Sequence, residues 1–133
     1  YLADNEAGSI TVVSRNADAA RQKYPELQSV NIGEFKASGY DLVINCTPVG
    51  MYPKTGLSPL EKEQLEGAGF VMDLIYNPET TKLLEYAAEL GIPCANGLYM
   101  LIAQAICAQE IWQEISVDAE IINEIYKGMK DEN

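Results

Sequence analysis

The chain of 133 residues contains no histidine. Without an imidazole, a Ser-His-Asp triad is excluded, and a zinc site is disfavoured because zinc usually takes histidine and cysteine ligands. Any proton transfer would use Lys, Tyr, Asp, Glu or a group from outside the chain. Cys46, Cys94 and Cys107 are an odd, widely spaced set with neither a disulfide framework nor a metal-ligand spacing. We therefore expect no metal site and a reducing, cytoplasmic location.

Positive charge is scarce as well. The chain has 9 Lys and Arg against 20 Asp and Glu, which gives a net charge of −11. No basic cluster interrupts this acidity, so neither nucleic acid nor an anionic membrane is expected as a partner. The longest apolar stretch, residues 98–108, is too short to span a bilayer and contains Gln104. The opening residues lack the pattern of a secretory leader, and we expect none.

What the sequence does contain is an alternation of strand and helix patterns, on a chain long enough for one domain with a real core. Apolar and β-branched runs predict strands at 10–13, 28–32, 42–46, 70–75 and 92–95. Helices are predicted from residue 16 or 18 to 24, at 59–66 with Ser58 as cap, from 80–81 to a left-handed cap at Gly91, at 97–112, and around Ile121 to Tyr126. The inner side of the 80–91 helix should carry Leu83, Leu84, Ala87, Ala88 and Leu90. This alternation predicts an α/β fold with a parallel sheet covered on both faces.

A glycine-rich nucleotide turn is missing. A dinucleotide-binding βαβ unit begins with a strand and a G-x-G-x-x-G turn, and no such segment exists here. Either the fold does not need that turn or the chain is a fragment without it. Residues 1–6 are typical of the tail of a helix, which favours the fragment.

The segment from Asp41 to Pro53 is the most informative stretch of the chain. Its apolar run ends in polar residues and then in a loop held by prolines, as parallel strands of α/β proteins end at the ligand crevice. That edge would present Asn45, the Thr47 hydroxyl and the Gly50 backbone to a ligand. A plain exit from a strand into a loop is the alternative.

Two further residues belong to the next predicted strand. Tyr76 stands at its end, on the same sheet edge as Thr47, where its hydroxyl could meet a substrate or simply lie at an interface. Asp73 lies inside the apolar run, and we expect it to bond local backbone or to cap a neighbouring helix.

The tripeptide Ser14-Arg15-Asn16 follows the first predicted strand. In a dinucleotide fold, an arginine at the end of the second strand can accommodate the 2′-phosphate of NADP. A guanidinium suits phosphate because it is planar, permanently charged and bidentate. An exposed arginine in a turn is the simpler alternative.

The apolar segment that starts at Asn96 contains a third set of candidate site residues. Gly97, Met100 or Leu101, and Gln104 fall on one face of the predicted helix. Gly97 would let a ligand approach the backbone near the helix start. Gln104 is the polar member of an apolar run, so its amide should either satisfy a backbone group or point into a polar cavity.

These segments, taken together, resemble the carboxyl-terminal, NADP-binding domain of shikimate dehydrogenase. Order and spacing hold from about residue 2 to 112. The resemblance implies a Rossmann-like, doubly wound parallel sheet that is incomplete, with its first strand and glycine-rich turn missing. The matching stretches are 10–16, 43–51, 72–78 with 80–84, and 96–105.

The resemblance implies hydride transfer between NADPH and 3-dehydroshikimate to give shikimate, in the chorismate pathway of aromatic amino-acid biosynthesis. It places Ser14, Arg15 and Asn16 at the 2′-phosphate, Thr47, Ile75, Gly97 and Met100 along the cofactor, and Tyr76 and Gln104 at the substrate. The family usually has Asn-Arg-Thr where this chain has Ser-Arg-Asn. The arginine is kept, so the implied preference for NADP survives.

The family's catalytic Lys and Asp belong to an amino-terminal substrate domain, and no residue here inherits their role. Lys54 and Lys82 lie in unrelated motifs. The resemblance therefore implies that residues 1–133 are the NADP-binding fragment of a two-domain dehydrogenase, inactive alone. Sheet edges at 10–13 and 42–46 would be left unpaired, and we expect either self-association there, as a homodimer or by edge pairing, or loose packing.

Two other interpretations stay open at this point. The chain could be the NADP domain of a quinate-active or glutamyl-tRNA-reductase-like enzyme, although Tyr76 together with Gln104 favours a shikimate-type substrate. It could also be a nucleotide-binding module without catalysis.

Overall fold

The structure is a computed structural model that describes residues 2–131, and the chain divides into two compact units, Tyr1–Ala37 and Ser38–Asn133. Residues 2–6 form hydrogen-bonded turns in which the Leu2 carbonyl accepts from the Asn5 and Ala7 amides at 3.3 and 3.1 Å. Tyr1, the first residue of the predicted helix tail, lies outside the described residues.

The first unit is a βαβ segment. Strand β1 (Thr11–Ser14), helix α1 (Ala17–Lys23) and strand β2 (Gln28–Asn31) follow in order, and the two strands pair in parallel. The Asn16 side chain caps α1 by accepting from the Ala19 amide at 3.0 Å. The helix ends ahead of Pro25, as predicted.

The second unit contains a three-stranded parallel sheet of order β3-β4-β5. Helix α2 links β4 to β5, so these three elements form a second βαβ segment. Parallel pairing throughout confirms the α/β class that the alternation predicted. The elements are β3 (Val43–Asn45), β4 (Val71–Asp73), α2 (Lys82–Glu89), β5 (Cys94–Ala95), α3 (Leu98–Gln113) and α4 (Ala119–Asp131).

The core of the second unit lies where α2 covers the sheet. Val71 of β4 and Leu83 of α2 are completely buried. Leu84 and Ala87 are buried beside them, whereas Ala88, predicted on the same side, is exposed. Gly91 adopts a φ of +70°, which is the predicted left-handed cap.

The helix predicted at 59–66 is wrong. The segment forms a single 3₁₀ turn, Lys62–Gln64, in which the Gln64 side chain accepts from the Glu61 amide at 2.9 Å. The Ser58 hydroxyl donates to the Leu60 carbonyl at 2.6 Å and accepts from its amide, a local pattern that competes with a helix start.

An ion pair links this turn to α2. Lys62 Nζ lies 2.6 Å from Glu89 Oε2, and the hydrogen bond from Lys62 holds the pKa of the Glu89 carboxyl below its ordinary value.

The last two helices pack on each other through an edge-to-face pair, Tyr99 and Tyr126, with ring centroids 5.6 Å apart. Helix α3 is apolar, yet only Leu98 and Ile102 are buried, and Trp112 is 76% exposed. Among residues 2–131, none of the helices combines the length and apolar character needed to cross a membrane.

Candidate functional site

Asn45 lies at the carboxyl end of β3 and is buried at 5% exposure. Its Oδ1 accepts from both the backbone amide and the hydroxyl of Thr47, at 2.9 and 2.7 Å. Its Nδ2 donates to Asp73 Oδ1 at 3.0 Å. The prediction that Asn45 is presented to a ligand is therefore wrong, because the amide is fully engaged in holding Thr47 to β4.

Asp73 ends β4 and is completely buried. Its Oδ1 also accepts from the Ile75 amide at 3.1 Å, and its Oδ2 accepts from the Thr81 hydroxyl at 2.7 Å. Thr81 is the residue that caps α2. The expected local backbone bond is confirmed, and the carboxylate reaches the helix through the cap residue. We name Asn45, Asp73 and Thr81 the buried polar cluster.

An open cavity of about 430 Å³ lies directly outside this cluster, at the carboxyl ends of β3 and β4. It brings together three of the predicted site residues, Thr47, Ile75 and Tyr76. The Tyr52 amide donates to the Asn77 carbonyl at 3.1 Å and so joins the two loops that form the rim. The cavity is lined by Cys46, Thr47, Pro48, Met51, Tyr52, Leu74, Ile75, Tyr76 and Asn77.

Several lining residues were missed from the sequence. Cys46, Met51 and Tyr52 lie in or beside the predicted strand exit. Their position in the same loop as Thr47 could have identified them as lining residues. Tyr52 is 66% exposed and Tyr76 is 51% exposed, which leaves two phenol rings at the mouth of the cavity.

Close backbone packing explains the two glycines that were singled out in the sequence. Gly50 adopts a φ of +96°, and a Cβ there would lie 2.8 Å from the Leu57 carbonyl oxygen, so its backbone serves a buried turn. At Gly97, a Cβ would lie 2.0 Å from the Leu74 carbonyl oxygen. The start of α3 thus packs backbone to backbone on the end of β4, and the ligand-approach explanation is not required for either glycine.

Gly97 nevertheless bonds to a residue that lines the cavity. Its amide donates to the carbonyl of Ile75 at 3.0 Å, and its own carbonyl accepts from the Leu101 amide at 3.0 Å. That second carbonyl keeps one lone pair for another donor.

Met100 and Gln104 are not among the residues that line the cavity. Met100 is half-buried and Gln104 is exposed, so the expectation of a buried amide is wrong. The cause is that α3 leaves most of its surface uncovered, so an apolar run does not bury its polar member. The roles assigned to these two residues stay predictions.

The Ser14-Arg15-Asn16 segment leaves the carboxyl end of β1 in the first unit. The Ser14 hydroxyl accepts from the Asn16 amide at 3.1 Å, and Asn16 caps α1, so both side chains have local bonds. The Arg15 guanidinium is exposed and has no ion-pair partner in the described part of the chain. The Arg15 carbonyl accepts from Asn31 Nδ2 at 3.4 Å, which ties the loop to the end of β2.

The lysine at the start of α2 has a local ion-pair partner. Lys82 pairs with Glu85 at 2.8 Å, and this hydrogen bond raises the pKa of the lysine. No group of three or more His, Cys, Asp or Glu side chains within residues 2–131 is placed to hold a metal ion.

Comparison with known proteins tests the resemblance. No protein-family model matches the chain. The shikimate dehydrogenase (NADP(+)) of Clostridium perfringens strain 13 is 35% identical over 133 residues, which is 98% of this chain and 49% of that protein. A chorismate mutase/shikimate 5-dehydrogenase fusion protein from Clostridium acetobutylicum superposes with a TM-score of 0.90 at 43% identity, over 99% of this chain and 48% of that one. The chain is related to the shikimate dehydrogenases.

A further structural relative carries ligands. The shikimate 5-dehydrogenase of Thermus thermophilus, solved in complex with NADP(H) and shikimate, matches with a TM-score of 0.75 at 30% identity, over 90% of this chain and 46% of that one. The chain spans about half the length of the curated relatives it matches. These likenesses confirm the predicted relationship and the Rossmann-like α/β fold.

Proposed function

We propose that the chain is the NADP-binding part of an oxidoreductase that transfers hydride between NADPH and 3-dehydroshikimate, giving shikimate. The observation that carries the proposal is the cavity at the carboxyl ends of β3 and β4, where Thr47, Ile75 and Tyr76 meet. Ligands of open α/β sheets bind at this edge. The names of the relatives supply the cofactor and the reaction.

The residues present suit NADP. Among residues 2–131 no carboxylate pairs with the Arg15 guanidinium, which can therefore donate the two parallel hydrogen bonds that a 2′-phosphate accepts. The cavity of the second unit is lined mainly by apolar side chains and carries no cation, so it suits the uncharged nicotinamide and ribose better than the phosphates. Thr47 and Ile75 would line the nicotinamide half of the cofactor. Gly97, which bonds to the Ile75 carbonyl, and Met100 would also line the cofactor.

In this proposal the bound NADPH supplies the hydride, and the chain binds and orients the cofactor and the substrate. Tyr76 offers a phenol hydroxyl at the mouth of the cavity, where it would bind a hydroxyl or carboxylate of the substrate. Gln104 would contact the substrate from α3. We assign no acid, base or nucleophile within the chain, and we expect residues 1–133 alone to bind cofactor without turnover. Three exposed, unpaired thiols are consistent with a cytoplasmic setting.

The experiment has two arms. The 133-residue chain is titrated with NADP⁺ and NAD⁺ by calorimetry, and the complete product of the reading frame is assayed for reduction of each cofactor with shikimate or quinate. We expect tighter binding of NADP⁺ to the chain, and oxidation of shikimate in preference to quinate by the complete product.

Tyr76→Phe tests the substrate assignment in the same assay. It should raise the KM for shikimate and leave NADP⁺ affinity unchanged, whereas Tyr86→Phe, on α2 and away from the cavity, should change neither. A folded chain that binds neither dinucleotide, or a complete product that prefers NAD⁺, would refute the proposal.

A further inference from the structure

The orientation of the Asn45 side-chain amide is decided by its neighbours. The Thr47 backbone N–H can only donate, and it lies 2.9 Å from Oδ1. On the other side, Nδ2 faces two acceptors, Asp73 Oδ1 at 3.0 Å and the Val49 carbonyl at 3.5 Å. A flipped amide would set donor against donor and acceptor against acceptor, so only one orientation satisfies the cluster.

This orientation fixes the proton of the Thr47 hydroxyl. A hydroxyl has one donor and two acceptor positions. The donor is used on Asn45 Oδ1 at 2.7 Å, and one acceptor position receives the Val49 amide at 3.3 Å. What Thr47 can still offer to the cavity is one lone pair.

We propose that Asn45 and Asp73 are positioning residues that make the Thr47 hydroxyl an acceptor, and that it binds a hydrogen-bond donor of the cofactor's nicotinamide half. The inference rests on the proposed function. Phosphate oxygens are acceptors and cannot pair with such a group. The donors that fit are the carboxamide N–H of the nicotinamide and a hydroxyl of its ribose.

Asp73 gives the arrangement its rigidity. It has no exposed surface, and three groups donate to it: Asn45 Nδ2, the Ile75 amide and the Thr81 hydroxyl. These bonds fix the ends of β3 and β4 and the start of α2 relative to one another. The Thr47 hydroxyl is therefore oriented before any ligand arrives, which reduces the cost of ordering on binding.

The test uses Asn45→Asp, Thr47→Val and the double variant in the complete product of the reading frame, with Thr55→Val as the matched control. Thr55 is exposed and does not line the cavity. Affinity is measured for NADP⁺ and for adenosine 2′,5′-bisphosphate, which lacks the nicotinamide half. Thr47→Val should weaken NADP⁺ binding about three- to tenfold, the effect of one hydrogen bond, and leave the bisphosphate unchanged. Thr55→Val should change neither.

In Asn45→Asp, the affinity for NADP⁺ should depend on pH. The substitution places two buried carboxylates at hydrogen-bond distance, so the pair should share a proton, with an apparent pKa above the ordinary range of aspartate. Below that pKa, the protonated pair reproduces the donor of Asn45 and NADP⁺ affinity should be restored. Above it, repulsion separates the carboxylates and affinity should fall to the level of Thr47→Val.

The double variant separates positioning from general damage. If Asn45 acts through Thr47, the double variant binds NADP⁺ no more weakly than Thr47→Val alone. Additive losses, or an equal loss of bisphosphate binding, would overturn the inference. An NADP⁺ analogue with an acetyl group in place of the carboxamide tells the two donors apart. If Thr47 binds the carboxamide, the analogue loses affinity in the wild type and not in Thr47→Val, and if it binds the ribose, both proteins treat the two cofactors alike.

One measurement needs no variant and is made first on the protein without cofactor and then with NADP⁺ added. With threonine-selective labelling, the Thr47 hydroxyl proton should be observable by NMR, protected from exchange and close to the Asn45 side chain. A protected proton in a protein that fails to bind NADP⁺ would refute the proposed function and support the oriented hydroxyl. A rapidly exchanging proton, or one that turns away from Asn45 when NADP⁺ is added, would refute the inference.

Discussion

At the scale of single residues, Arg15 offers the sharpest test of cofactor choice. Its guanidinium is exposed and has no ion-pair partner among residues 2–131. If it binds the 2′-phosphate, Arg15→Ala should weaken NADPH binding by about 1.5–3 kcal/mol, the range for a hydrogen bond to a charged group. NADH lacks that phosphate, so its affinity should not change. Titration with both dinucleotides measures the difference.

Arg21 is the matched control for Arg15. It lies on α1 and is paired with Asp18 at 2.9 Å, so its charge is already partly neutralised. Arg21→Ala should leave both affinities unchanged. If Arg15→Ala weakened NADH as much as NADPH, or if Arg21→Ala reproduced its effect, the assignment of the 2′-phosphate to Arg15 would be wrong.

Residue types predicted the place of the cavity better than the direction of each side chain. A polar residue at the end of an apolar strand indicates the sheet edge, and Thr47 and Tyr76 do line the cavity there. Asn45, two positions before Thr47, turns inward because Asp73 on the neighbouring strand needs a donor. Pairing between strands cannot be read from a single sequence, so this partner could not be foreseen.

At the scale of elements, the cap of α2 should be unusually important. Thr81 Oγ1 accepts from the Leu84 amide at 3.4 Å and donates to the buried Asp73 carboxylate. Thr81→Ala loses a helix cap and also leaves a buried carboxylate oxygen without its donor. Together these should lower the free energy of unfolding by about 2–3 kcal/mol. Urea unfolding of the variant and the wild type measures the loss.

Thr81→Ser and Asn16→Ala are the control variants for this prediction. The serine keeps the hydroxyl and should recover most of the stability. Asn16 caps α1 from an exposed position, so its loss should cost only about 1 kcal/mol. An equal, small effect of Thr81→Ala and Asn16→Ala would show that the bond to Asp73 contributes nothing beyond ordinary capping.

Elements with a strong periodic pattern were predictable, and weakly patterned ones were not. All five strands and four of the five helices have the predicted type. The segment at 59–66 failed because Ser58 and Leu60 bond each other locally, and Gly67 follows with a φ of +81°. The prediction that the Gln104 amide is buried failed for a different reason. Burial on α3 depends on what covers the helix, and its own sequence does not contain that information.

At the scale of the whole chain, four strands, β1, β2, β3 and β5, have an edge without a strand partner among residues 2–131. Strand β1 pairs with β2, and β3 pairs with β4. The Val43 amide donates to the Phe70 carbonyl at 2.9 Å, and the Asn45 carbonyl accepts from the Leu74 amide at 3.2 Å. Since alternate residues of a strand bond to opposite sides, the N–H and C=O of Ile44 face the edge away from β4.

An edge of this kind readily pairs with another chain, so we expect the 133-residue chain, expressed alone, to self-associate. Ile44→Pro removes the donor at that edge without breaking a bond to β4, and proline is tolerated at sheet edges. It should therefore shift the chain towards monomer, whereas Ile44→Val keeps the N–H and should not. Light scattering across a concentration series measures the mass. A wild-type chain that stays monomeric throughout, or one whose association is unchanged by the proline, would show that this edge is not what brings copies together.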